Sequence, residues 1–119
     1  MGRRARRRGA DDRLQAPTTD YTDAEGDVLT LRGALTPATR REYAAVVAGS
    51  PLSREDAWQR AVEFLFERLA VRWEVAGLPI EKPKELLGRY RMATGGERAW
   101  IRGILREHLA EHFPDLEAP

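Results

Sequence analysis

Residues 53–76 read SREDAWQRAVEFLFERLAVRWEVA, and the interpretation of that stretch decides the fold. Ser53 followed by Arg54-Glu55-Asp56 is close to a capping box: a hydroxyl that can accept from the first free N–H groups of a helix, with an acid three positions on. On a 100° wheel Trp58, Val62, Leu65, Leu69, Trp73 and Ala76 form one stripe. Ala61, Phe64, Val71 and Val75 widen it to more than half the circumference. No Gly or Pro interrupts the run before Gly77, so the spacing predicts a single long helix wrapped by others, with Gln59, Arg60, Glu63, Glu67 and Glu74 facing water.

Upstream, Thr36-Pro37 opens a helix that should run to about Ala48. The hydroxyl caps it, the proline gives up no bond at the first position, and Gly49 stops it. Before it, residues 18–22 and 27–32 form a proposed hairpin about Asp23-Ala24-Glu25-Gly26. Two strands alone are marginal in water, so Tyr21, Leu29 and Leu31 should lie on the helices. Residues 1–16 contain Arg3, Arg4, Arg6, Arg7 and Arg8 with almost nothing apolar, which predicts a disordered arginine-rich arm.

Downstream, Gly77-Leu78-Pro79-Ile80 reads as a loop, and Pro83 starts a short helix through Leu86, Leu87, Tyr90 and Ala93. Thr94-Gly95-Gly96-Glu97 is a capping box for a last helix that ends at Pro114. The expected fold is mainly α within the α+β class: an N-terminal β-hairpin followed by a four-helix, single-core domain with a long central helix. Its limits are an arm over 1–16, a globular body over 17–116 and a tail over 117–119. Trp58, Leu65, Phe66, Leu69, Trp73, Leu87, Ile101, Ile104 and Leu105 are the expected core.

A chain of 119 residues has room for one core. The net charge of +1 hides an asymmetry: residues 1–20 hold six Arg against three Asp, and residues 21–119 hold 14 basic against 16 acidic groups. The folded part is therefore not a basic protein. The absence of cysteine excludes disulfides, thiolate metal sites and thiol nucleophiles. No apolar run approaches the ~20 residues that span a bilayer. The basic start leads into Asp11 and Asp12 rather than an apolar segment, so a soluble, cytoplasmic protein without membrane contact is expected. Arginine outnumbers lysine 18 to 2, which a GC-rich coding sequence explains more simply than a need for bidentate donors.

Four groups of residues invite a functional reading. His108-Leu109-Ala110-Glu111-His112 matches H-x-x-E-H, the inverted zinc-protease pattern, and makes His108 and His112 metal candidates. Only seven residues follow His112 and no third His exists, so a packed histidine bonded to a carbonyl or carboxylate is the simpler expectation. Arg68 and Arg72 fall one turn apart inside the apolar arc of the long helix, where a guanidinium must snorkel, pair or meet a partner's carboxylate. Arg98, Arg102 and Arg106 recur every fourth residue and allow a recognition-helix reading, which Glu97, Glu107 and Glu111 on the other flank oppose. The arm arginines suffice for weak, salt-sensitive contact with a polyanion. No phosphate loop, EF-hand or nucleophile elbow is present.

The expected function is a small non-enzymatic interaction or assembly module with an unknown protein partner or a second copy of itself, and no cofactor. Its motive is apolar surface in excess of what so small a body can hide, Trp100 in particular. A nucleic-acid-associated protein using the arm, possibly a DNA binder, is the alternative, and a zinc-dependent hydrolase the remote one.

Overall fold

The computed structural model describes residues 17–49 and 53–119, so the expected arm lies outside the described residues. The order of elements is β1 (Thr18–Thr22), β2 (Val28–Arg32), α1 (Pro37–Ala48), α2 (Arg54–Leu69), β3 (Ala70–Val75), β4 (Leu78–Ile80), α3 (Pro83–Arg91) and α4 (Gly95–His112). The strands form one antiparallel sheet in the order β1-β2-β3-β4. Among the described residues the architecture is thus four helices with a four-stranded sheet, and the expected hairpin followed only by helices is corrected.

The difference arises within residues 53–76. The helix begins as expected, with the Ser53 hydroxyl accepting from the Asp56 N–H at 3.1 Å, but it stops at Leu69. From Val71 the run Val71-Arg72-Trp73-Glu74-Val75 alternates apolar with charged residues as cleanly as it fits a helical stripe, and its β-branched and aromatic side chains favour a pleated strand. What breaks the tie is β2, whose second edge needs a partner. Thr30 pairs with Arg72, Val28 with Glu74 and Leu29 with Trp73, with one register shift between Thr30 and Leu31. Ala76 and Gly77, at φ 51° and 79°, then form the two-residue turn of positive φ that suits a right-twisted hairpin, and Val75 pairs with Leu78. The segment read as a loop is therefore this turn followed by β4.

The other caps are formed as read. Thr36 accepts from the Thr39 N–H at 3.1 Å. Thr94 and Glu97 make the reciprocal capping box, at 3.1 Å and 2.9 Å.

One side of the sheet carries Leu29, Leu31 and Trp73, each at most 1% exposed, and packs against the helices. Phe66 of α2 meets Trp73 edge-on at 5.7 Å and stacks on Tyr90 of α3 at 4.8 Å. Ile101, Leu105 and Leu109 of α4 complete the core together with Tyr43 and Phe113. Of the expected core residues, Trp58 is only partly buried and Leu86 replaces Leu87. Past α4 the chain folds back: the Tyr43 hydroxyl donates to the Glu117 carbonyl, Arg106 Nε donates to the Pro119 carbonyl, and Leu116 packs on the core. Among the described residues no helix is long and apolar enough to cross a membrane.

Candidate functional site

The side chains singled out by sequence are dispersed over the body. His108 is fully buried and held from two strands. Its Nε2–H donates to the Arg32 carbonyl at 2.8 Å, and its Nδ1 accepts from the Tyr21 hydroxyl at 2.8 Å, an assignment that satisfies all three groups in the neutral form. Burial pushes this imidazole below the ordinary histidine value, and the neighbouring His112 adds to the effect against the Arg32 carbonyl and Glu111. His112 lies with its ring centroid 4.4 Å from that of His108 and within 3.4 Å of the Thr19 hydroxyl. Both nitrogens of His108 are engaged in bonds that fasten β1 and β2 to α4, and among the described residues there is no group of three or more potential metal ligands.

Arg68 closes α2, where it pairs with Glu42 at 3.3 Å and lies over the Phe64 ring at 5.1 Å. Arg72 belongs to β3 rather than to a helix, on the side of the sheet away from Trp73. It pairs with Glu74 at 3.5 Å and Glu81 at 3.6 Å, while its Nε is buried without a hydrogen-bond partner. Trp100 is partly buried against the core. Arg98 donates to the Arg91 carbonyl and lies over Tyr90, Arg102 reaches Glu55 at 2.7 Å, and Arg106 holds Pro119. The arginine ladder on α4 is thus divided among three separate partners. Arg3, Arg4, Arg6, Arg7 and Arg8 lie outside the described residues. The expected apolar surplus is small: Leu78 and Met92 are the large hydrophobic side chains left exposed among the described residues. A groove of about 500 Å³, floored by Val47, Ala57, Trp58 and Leu116, runs between α1, the start of α2 and the C-terminal segment.

The most distinctive unpaired chemistry is main-chain, at the edges of the sheet. The Gly33 N–H donates to the Pro17 carbonyl at 2.7 Å and the Asp23 N–H to the Asp27 carbonyl at 3.0 Å, which fixes the phase of the β1–β2 ladder. Residues 17, 19, 21 and 23 therefore bond toward β2, and the N–H and C=O groups of Thr18, Asp20 and Thr22 point outward. No described residue pairs with them. At the opposite edge the Val75–Leu78 pair flanks the two-residue turn, so Leu78 and Ile80 bond toward β3 and the outward position is Pro79, which has no N–H. The sequence reading missed this contrast, because an edge is defined by which strand lies beside it. The one available signal was Thr-Thr-Asp-Tyr-Thr, a strand-forming run without Pro or Lys.

Beneath β1 the Tyr21 phenol is held above its ordinary value by burial and by the charges of Glu111 and Glu107, both of which are exposed on α4. Asp20, on the opposite side of the strand, accepts from the Thr30 hydroxyl at 2.6 Å. No family model, curated protein or solved structure matches this chain.

Proposed function

We propose that this protein is a non-enzymatic interaction module that receives an extended segment of a partner along β1. The observation that carries this reading is the outward row of N–H and C=O groups on Thr18, Asp20 and Thr22, facing no described residue, on a sheet whose other edge strand has Pro79, without a donor, at its outward position. Such a row is a template for strand addition, in which main-chain hydrogen bonds supply affinity and alternate side chains supply specificity. Each added bond contributes about 0.5–1.5 kcal/mol net. The perturbed ionisable groups support the same reading, since they are engaged within the fold: His108 and Tyr21 bond each other and hold the hairpin, Tyr43 holds the C-terminal segment, Glu97 is bound to Arg89 and to the cap of α4, and Tyr90 is stacked on Phe66.

The test uses Asp20→Pro, which removes one outward N–H and the side-chain bond to Thr30 but leaves the main-chain bonds to β2 in place. Tagged full-length protein is purified from native cells, and its secondary structure is checked by circular dichroism. A stoichiometric protein recovered with wild type, lost with Asp20→Pro and retained with Leu78→Asp supports the reading. Equal recovery with wild type and Asp20→Pro, or none with wild type, rejects it.

Arm composition favours a second reading, contact with a polyanion through Arg3 to Arg8. Mobility shifts at two salt concentrations, with and without residues 1–16, test it. A shift at low salt that disappears with the arm supports this reading, and no shift at low salt ends it.

A further inference from the structure

Among the described residues, the acids of the hairpin make no ion pair. Residues 17–33 contain Asp20, Asp23, Glu25 and Asp27 against Arg32 alone, four acids to one base. The ion pairs among the described residues all lie elsewhere, joining Arg40, Arg60, Arg68, Arg72, Arg89, Arg91 and Arg102 to acids of the helices, β3 and the segments that follow them. Asp23 and Asp27 are occupied in the turn, where they accept from the N–H groups of Glu25, Asp27 and Ala76. Asp20 remains on one side of β1; on the other, Tyr21 bonds His108 of α4, and Glu107 and Glu111 flank that histidine on the same helix, exposed.

Side chains of a strand laid along β1 would alternate between these two sides. One set would pass Asp20 and the other would pass Glu107 and Glu111, so consecutive basic residues, rather than every second one, would find acid opposite. A second copy of β1 fits poorly, because antiparallel pairing centred on Asp20 places two aspartates directly opposite each other. The geometry points to an extended segment of a partner protein carrying a short run of consecutive Lys or Arg as the occupant of the β1 edge. The assignment rests on that edge being the contact surface. The chain's own Arg6-Arg7-Arg8 has the same chemistry and is joined to β1 through residues 9–16, which makes it the alternative occupant that the test must separate from a partner.

The experiment measures fluorescence anisotropy of two labelled peptides, Thr-Val-Thr-Arg-Lys-Arg-Thr-Val-Thr and its counterpart with Glu-Asp-Glu at the centre, against the full chain. The basic peptide should bind about tenfold or more tightly than the acidic one at low salt, and lose several-fold of that affinity near physiological salt. The triple variant Asp20→Asn, Glu107→Gln, Glu111→Gln should bring the two within about twofold. Asp20→Pro and Thr22→Pro should remove binding of both. Equal binding of the two peptides by wild type, abolished by either proline, overturns the basic-segment assignment and leaves the edge as the contact surface. Preferred binding of the basic peptide that survives both prolines overturns strand addition itself, and no binding of either peptide overturns both. Tighter binding after Arg3, Arg4, Arg6, Arg7 and Arg8 are changed to Gln places the chain's own arm on the edge and overturns the partner assignment.

Discussion

The β4 edge is three residues long and turns Pro79 outward, whereas the β1 edge is five residues long and turns the main-chain groups of Thr18, Asp20 and Thr22 outward. Both strands flank the same packed centre, so the difference is not one of stability. An edge without a donor, cut short after three residues, is a usual defence against unwanted strand pairing. An edge made of Thr, Asp and Tyr without that defence is the one at which pairing can be used.

Removing what the two edges share should have the largest effect. Trp73→Ala takes out the side chain at the middle of the sheet, and should cost about 3–5 kcal/mol in urea unfolding and weaken both edges alike. His108→Ala should cost less, about 2–3 kcal/mol, through a cavity and two polar groups left without partners. Its effect should be lopsided: hydrogen exchange of the Thr19 and Tyr21 amides speeds up, while that of Leu78 and Ile80 changes little. Equal acceleration at both edges would show that His108 does not fasten β1.

Acid should sharpen the contrast further. His108 is neutral in the fold and held below 6.5, so the open or unfolded state takes up a proton first. Stability is therefore complete above pH 6.5 and falls as pH drops from there toward the lowered folded value, by up to about 1.4 kcal/mol per pH unit. Urea titrations over this window should flatten in His108→Gln. The smallest change is expected from Pro79→Thr, which restores an outward N–H on β4. Stability should stay within about 0.5 kcal/mol, while light scattering reports more self-association than in wild type.

Much of the fold was legible from local chemistry. Thr36, Ser53 and Thr94 each announce a helix start, and the β1–β2 hairpin follows from its alternation and turn. The end of α2 was not legible, because Val71, Trp73 and Val75 satisfy the helical and the pleated period alike. What decides between them is the unfilled side of β2, a tertiary fact. Ala76 adds to the difficulty: nothing in the sequence marks an alanine that adopts φ 51°. The two edges were hidden for the same reason, since Pro79 read as an ordinary loop proline until β4 was seen beside β3. The burial of His108, by contrast, was legible from its place among Ile101, Ile104 and Leu105, where an imidazole needs bonded partners.

Leu69 of α2 is followed directly by Ala70 of β3, whose N–H still closes on the Phe66 carbonyl. That corner holds no spare residue. Inserting one amino acid there would either swing the preceding helix by about 100° or invert which side chains of β3 face inward. Natural variation in chain length should therefore collect at the Gly26 bend and stay away from the 69/70 boundary, so that the spacing from Ser53 to Gly77 behaves as a ruler set by the structure.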